Sequence, residues 1–262
     1  MPELPEVESF RRFFDAHALN QKIVQVQVTD ERILENITQP DLKKALMHQK
    51  FISTHRHGKF LFCNYSSNKW LVIHFGMTGD FRAISDNDPI EKHDRVIISF
   101  DKHRVLTFND QRLFGLISLT NSIPEFLKER RFGPDALEIK YEDFHTRITK
   151  KHKFIKAVLL DQSVIAGVGN LYADEALFQA KIHPKIMSNN LSESQTKLLY
   201  DQIQRIFHLA IDFGADYGKF PQDFFIHKRE QGGKCPRCAN VLDSIKITQR
   251  TTYFCPNCQL FK

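Results

Sequence analysis

No stretch of the 262 residues approaches the roughly 18 consecutive apolar residues that a membrane-spanning helix needs, so no membrane anchor of that kind is expected. No lysine or arginine precedes Arg11 and the N-terminus has no apolar stretch, so a secretory signal is not expected either. The expected location is the cytoplasm, nucleoid-associated in a bacterium. No internal repeat or low-complexity tract is visible, which sets aside repeat architectures. No motif for an organic cofactor pocket is found, and nothing signals oligomerisation, so a monomer is expected. Cysteine is scarce, five in all, and four of the five fall in one terminal pattern. Apolar residues make up 42% of the chain, enough to bury real cores, and the length suits two domains plus a small module. Lys plus Arg number 37 against 31 Asp plus Glu, for a net charge of +6. That balance favours a polyanionic partner, but only modestly.

Periodicity divides the chain. Residues 5–19 predict a helix with Val7, Phe10, Phe14 and Ala18 on one face and Glu6 and Glu8 in its first turn. Residues 22–119 alternate like short strands, with "RVIISF-DKH-RVLTF" as a hairpin and "LKKALMHQ" as a helical interruption. Residues 121–150, with Pro124, Gly133 and Pro134, predict a connection holding short helical pieces. From Lys150 to Asp212 the period is helical. A β-rich half followed by a helical half implies a cleft between two domains, a common place for a site. Cys63, in the apolar run "FLFCNY", is expected to be a buried reduced thiol.

The terminal "CPRC…CPNC" brings Cys235, Cys238, Cys255 and Cys258 into a C-x2-C-x16-C-x2-C spacing. Each C-x2-C turn presents two thiolates to one ion, and four fill a tetrahedral zinc. No position is left for a reacting water, so one structural Zn2+ is expected. The intervening segment alternates like a β-hairpin and carries Lys246 and Arg250, the arginine placed for phosphate contact or minor-groove entry, or simply solvated.

Two features are ambiguous on their residues alone. "SVIAGVGNLYADEALFQA" sets Gly167 and Gly169 before Asn170 and a helix. Asn170 suits an N-cap, and glycines let a phosphate approach N–H groups at a helix start, but such turns are usually only turns. "MPELPEVE" is either a capped acidic helix or a reagent. Loss of Met1 leaves a prolyl amine at Pro2. An α-amine titrates near 8 against about 10.4 for lysine, so a useful fraction is nucleophilic at neutral pH. Attack by a secondary amine on an aldehyde-like carbon gives an iminium, an electron sink. Glu3 is then the adjacent proton shuttle, with Glu6 nearby.

"MPELPEVE", "HGKFL", "HFGMTG", "KHDRV", "NDQRLFG", "AGVGNLYADEALFQAKIHP" and "CPRC…QRTTYFCPNC" occur in one order along nearly the whole chain. Together they resemble the formamidopyrimidine-DNA glycosylase / endonuclease VIII family of base-excision repair enzymes. Leu4 resembles the formamidopyrimidine branch. The resemblance implies an α+β fold: an N-terminal β-sandwich domain with flanking helices (1–125), a connection (126–149), a helix-two-turn-helix domain (150–228) and a zinc-finger β-hairpin (229–262). It implies a bifunctional glycosylase and abasic-site lyase acting on damaged double-stranded DNA, removing oxidised bases flipped from the stack.

Carried over by motif, Pro2 attacks C1′, Glu3 assists base release and ring opening, and Lys59 contacts phosphate and donates a proton in β-elimination. Arg250 grips phosphates and serves δ-elimination. Asn170, His93, Arg112 and Lys151 contact DNA. Met77, Arg112 and Phe114 fill the gap left by the flipped nucleotide, although without the resemblance Met77 and Phe114 read as core residues. The stretch from Ala215 to Lys234 is shorter than the base-closing loop implied for oxidised-purine enzymes, and it is aromatic, with Tyr217, Phe220, Phe224 and Phe225. Formamidopyrimidines, 8-oxoguanine-type purines, oxidised pyrimidines and hydantoins therefore all stay open as substrates. A non-catalytic damage binder predicts loss of Pro2, Glu3 or Lys59. A purely structural zinc-ribbon protein leaves the first eight residues unexplained.

Overall fold

The structure, a computed structural model, describes residues 1–66 and 69–261. The chain forms two compact units, one of residues 1–2 and 6–130 and the other of residues 3–5 and 131–262. The expected finger ends at residue 262, which lies outside the described residues.

The first unit is built on two antiparallel four-stranded sheets. One has the order β1 (Ile23–Val28), β6 (Asp94–Phe100), β7 (Arg104–Asn109), β5 (Asp80–Ser85). The other has the order β2 (Ser53–His57), β3 (Phe60–Ser66), β4 (Lys69–His74), β8 (Leu116–Thr120). Their alternate residues make one core: Leu61, Cys63 and Tyr65 from β3, Leu71 and Ile73 from β4, Val96 and Ile98 from β6. The other face of β3 is buried too. Phe60 and Phe62 meet Phe126, on the short helix α3 (Ile123–Glu129), edge to face at 5.6 and 5.4 Å. Burial on both faces explains why β3 reads as a nearly continuous apolar run rather than alternating. Cys63 is buried, and burial pushes its thiol up, as befits an inert core residue.

Helix α1 (Leu4–Ala18) sends Val7, Phe14 and Ala18 into this core. Helix α2 (Gln39–Leu46) starts on a capping box, Thr38 with Asp41, and carries Pro40 in its first turn. The β6–β7 hairpin closes over 101–103 as the sequence indicates, with Lys102 and His103 in the left-handed region.

The second unit is helical. Helix α6 (Asn170–Gln179) is buried nearly all round, which explains its lack of a polar face, and α5 (Ile155–Leu160) and α7 (Glu193–Asp212) surround it. Residues 131–149 do more than connect, because α4 (Tyr141–Thr149) sends Phe144 and Ile148 into this core. Leu4 belongs to the same core. Three of the four aromatics of 215–234 are structural as well. Phe220 and Phe224 join the helical core, while Phe225 stacks on Phe178 at 4.7 Å under the finger. The finger ends the chain as a hairpin of β9 (Asp243–Ile247) and β10 (Arg250–Phe254). Among the described residues, no helix is long and apolar enough to cross a membrane.

Candidate active site and nucleic-acid interface

The Gly-rich turn holds an anion, and the anion is part of the chain. Glu3 is 3% exposed, and its carboxylate accepts from Gly169 N at 2.7 Å, Leu171 N at 2.8 Å and Tyr172 N at 3.4 Å. These are the otherwise unpaired donors of the α6 start, where the helix dipole favours negative charge. The N-cap is Gly169, and Asn170 is the first helical residue, so the expectation of an Asn170 cap is corrected: Glu3 does the capping. The alternative that these glycines admit a phosphate does not match the space beside them. A Cβ on Gly169 would stand 2.2 Å from Glu3 Cδ, and one on Gly167 2.5 Å from Leu4 Cδ1. The glycines make room for the N-terminal segment. Leu4 N completes the seat by donating to Gly167 O at 3.2 Å. Pro2, half-buried, immediately precedes this clamped carboxylate.

Asn170 turns its amide to the finger, donating to Thr251 O at 3.1 Å, while its Oδ1 is buried without a partner among the described residues. Arg250 is exposed at the start of β10, straight after the turn residues Thr248 and Gln249. Both turn residues have positive φ, 46° and 59°, the conformation of a type I′ hairpin, which normally takes Asn-Gly. A β-branched residue there is strained, and the strain sits next to Arg250. Lys151 is half-buried just after α4.

In the first unit, Lys59 sits at the tip of the β2–β3 hairpin. Gly58, at φ 55°, takes the left-handed first position of a two-residue turn between the paired His57 and Phe60. Glu6 is half-buried on α1. His93 is half-buried, with its Nδ1 3.1 Å from Arg95 Nη2. A residue the sequence reading missed is His74. Burial and the nearby Lys59 charge lower its pKa to about 4, and its Nδ1 accepts from Gly76 N at 3.2 Å, so it is neutral with the proton on Nε2. Its only sequence signal is its place in "HFGMTG".

Met77, Arg112 and Phe114 are brought together. The buried Asp110 ties their turns, its carboxylate accepting from Thr78 Oγ1 at 2.5 Å, Arg112 N at 3.2 Å and Gly115 N at 2.7 Å. Gly76, at φ 59°, lies so close that a Cβ would meet Phe114 C at 2.2 Å. Phe114 is 56% exposed with the Arg112 guanidinium 4.9 Å from its ring centroid, so reading it as a core residue fails. An exposed aromatic beside an arginine on a braced turn fits insertion between bases.

The four finger cysteines place their sulfurs within 4.8 Å of one another, with Cys235–Cys258 at 3.8 Å and Cys238–Cys255 at 3.5 Å. Four sulfurs about 2.3 Å from one tetrahedral ion stand about 3.8 Å apart, whereas a disulfide needs about 2.05 Å. The set fits one structural Zn2+, which would supply a rigid base for the hairpin and no reactive position.

Sequence comparison agrees with this geometry from end to end. Residues 1–117 match the formamidopyrimidine-DNA glycosylase N-terminal domain, 132–221 its H2TH domain, and 232–260 the zinc finger found in FPG and IleRS. The chain belongs to the formamidopyrimidine-DNA glycosylase family. It is 37% identical over 275 residues to the formamidopyrimidine-DNA glycosylase of Lactococcus lactis subsp. lactis (99% of each chain). It is 36% identical to that of Solibacter usitatus, again over 99% of each. A solved Lactococcus lactis enzyme, non-covalently bound to DNA containing an AP site, superposes with a TM-score of 0.90 at 34% identity, covering 99% of this chain and 100% of that one. A MutM complex with DNA containing carbocyclic 8-oxo-G gives 0.89 at 33% identity, with the same coverage.

Proposed function

We propose that this glycosylase removes oxidised purines, formamidopyrimidines and 8-oxoguanine, from double-stranded DNA and then cuts the strand at the abasic site it makes. The observation that carries the reading is Glu3, clamped by three backbone donors directly after Pro2. Once Met1 is removed, the Pro2 nitrogen attacks C1′ and the base departs. Glu3, held in one place, moves the proton between the sugar ring oxygen and the departing groups. A proton from Glu3 on the ring oxygen lets the C1′–O4′ bond break, the Pro2 nitrogen becomes the iminium, and this acidifies C2′, whose loss of a proton expels the 3′ phosphate. Lys59 contacts phosphate and donates a proton, and Arg250 grips the phosphates through the second elimination. Glu6 assists near the amine. His93, Lys151 and Asn170 hold the backbone, while Met77, Arg112 and Phe114 occupy the space of the flipped nucleotide. Zinc holds the finger. The protein acts as a monomer in the cytoplasm, on the nucleoid in a bacterium.

An oxidised-pyrimidine preference is the weaker reading. The solved relatives include complexes with 8-oxo-G and Fapy-dG DNA, and Phe220, Phe224 and Phe225 of the 215–234 stretch belong to the two cores rather than to a base pocket. The test uses tag-free protein with duplexes holding one formamidopyrimidine, 8-oxoguanine, oxidised pyrimidine or abasic site. Excision of both purines ahead of the pyrimidine, with Glu3→Gln losing excision but still trapped on abasic DNA by borohydride, is expected. Tight abasic-DNA binding without trapping would make the protein a damage binder.

A further inference from the structure

Asp174 is buried on the second turn of α6, and the chemistry above does not use it. Its Oδ1 accepts from the equally buried Lys156 Nζ. Its Oδ2 accepts from Arg229 Nε at 2.7 Å and from Tyr253 N, on β10, at 3.3 Å. Arg229 reaches further along the same strand. It donates to Thr251 O at 3.4 Å and lies 5.2 Å from the Tyr253 ring centroid. Thr251 O also receives the Asn170 amide. The carbonyl before Thr252 and the amide after it are therefore both tied to α6 or to its ion pair, and Thr252 itself is buried.

A buried ion pair is weak support for stability, because desolvation offsets most of the attraction. Its better use is to fix geometry: charge-assisted hydrogen bonds are short and directional, whereas an apolar contact lets a strand slide. What is fixed here is the strand that begins with Arg250, on the helix whose first turn holds Glu3.

We infer that Asp174, with Arg229, is a positioning residue that sets β10 on α6 so that Arg250 meets a DNA phosphate. The inference rests on the proposed phosphate role of Arg250. Without the tie the finger keeps its zinc, since none of these contacts involves a cysteine, but Arg250 loses its fixed place.

The test is a double-mutant cycle in the full-length, zinc-loaded protein, with Arg229→Gln, Arg250→Gln and the pair, plus Asp174→Asn. Arg229→Gln leaves the buried Lys156–Asp174 pair intact, so it tests the tie with least risk to folding. Binding to a duplex carrying a tetrahydrofuran abasic analogue is measured across salt concentrations, and the ratio of β to δ products on abasic DNA is scored alongside. Loss of one phosphate contact lowers the salt slope by about 0.9. Arg229→Gln and Arg250→Gln should each lower the slope by that amount and reduce δ product, and the pair should be no worse than Arg250→Gln alone. Asp174→Asn should follow Arg229→Gln. Unchanged slopes for Arg229→Gln and Asp174→Asn while Arg250→Gln shifts, or additive losses in the pair, would overturn the inference alone. An unchanged slope for Arg250→Gln would remove the phosphate role itself. Loss of zinc from both Arg229→Gln and Asp174→Asn would assign the tie to holding the finger together and also overturn it.

Discussion

Gly169→Ala is a one-methyl test of the Glu3 seat. The backbone at Gly169 is extended, φ −125° and ψ −164°, so alanine adds no conformational strain of its own. Everything it does must pass through what its Cβ meets: Glu3 Cδ at 2.2 Å, Oε1 at 2.5 Å and Cγ at 2.6 Å. Ordinary contact begins near 3.4 Å, so the carboxylate must retreat by about 1 Å. The bonds from Gly169 N and Leu171 N, now 2.7 and 2.8 Å, then stretch past hydrogen-bonding range. Two charge-assisted bonds at about 1.5–3 kcal/mol each are at stake, part of which water replaces, so a stability loss of about 2–4 kcal/mol is expected. A misplacement of about 1 Å at a reacting group costs on the order of 100-fold, about 2.7 kcal/mol of barrier. The assay is single-turnover excision from an 8-oxoguanine duplex at saturating protein, with thermal unfolding and zinc content in parallel. Excision within threefold of the parent, in a protein whose melting point is unchanged, would refute the claim that the turn exists to hold Glu3.

Gly167→Ala should destabilise by about 1–3 kcal/mol, since φ is 114° and Leu4 fills the space, and chemical denaturation reads this directly. His74 gives a pH signature. Its folded pKa of about 4 lies below the unfolded 6.5, so the unfolded chain binds more protons between the two values, and stability falls as pH drops through that window, by about 3 kcal/mol. His74→Asn, which keeps an acceptor for Gly76 N, should flatten that part of the profile in urea titrations from pH 7 to 4, and an unchanged slope would be contrary. Chelating the zinc should weaken binding to a lesion duplex at least tenfold by melting the hairpin that carries Arg250, with recovery on adding Zn2+. Thr248→Asn with Gln249→Gly should raise stability by about 1 kcal/mol, seen as a higher melting point, because that pair adopts the positive φ values without strain.

Local chemistry was the legible part of the chain. The cysteine pairs, the α1 face and the β6–β7 hairpin declare themselves because the residues that decide each lie close together in sequence. The Gly167–Gly169 turn misleads for the opposite reason. Its occupant, Glu3, lies 166 residues away, and nothing local separates a turn built for an internal carboxylate from one built for a phosphate. A separation of 55 residues likewise hides Asp174 and Arg229, which read as ordinary charges until α6 meets β10. Phe114 reads as core by type, and only the Asp110-braced turn shows why an aromatic is held outside. The aromatics of 215–234 have no assigned place in the sequence, and Phe220, Phe224 and Phe225 prove to be core.

The central claim is that the chain's own amine, beside a clamped carboxylate, is the nucleophile. The most direct measurement is to reduce the protein–DNA intermediate on abasic duplex with borohydride, digest with trypsin and locate the adduct by mass spectrometry. The account predicts a single modified peptide, PELPEVESFR, carrying the sugar remnant on the Pro2 nitrogen. An adduct on the peptide containing Lys59, or on any other lysine, with Pro2 unmodified, would contradict it.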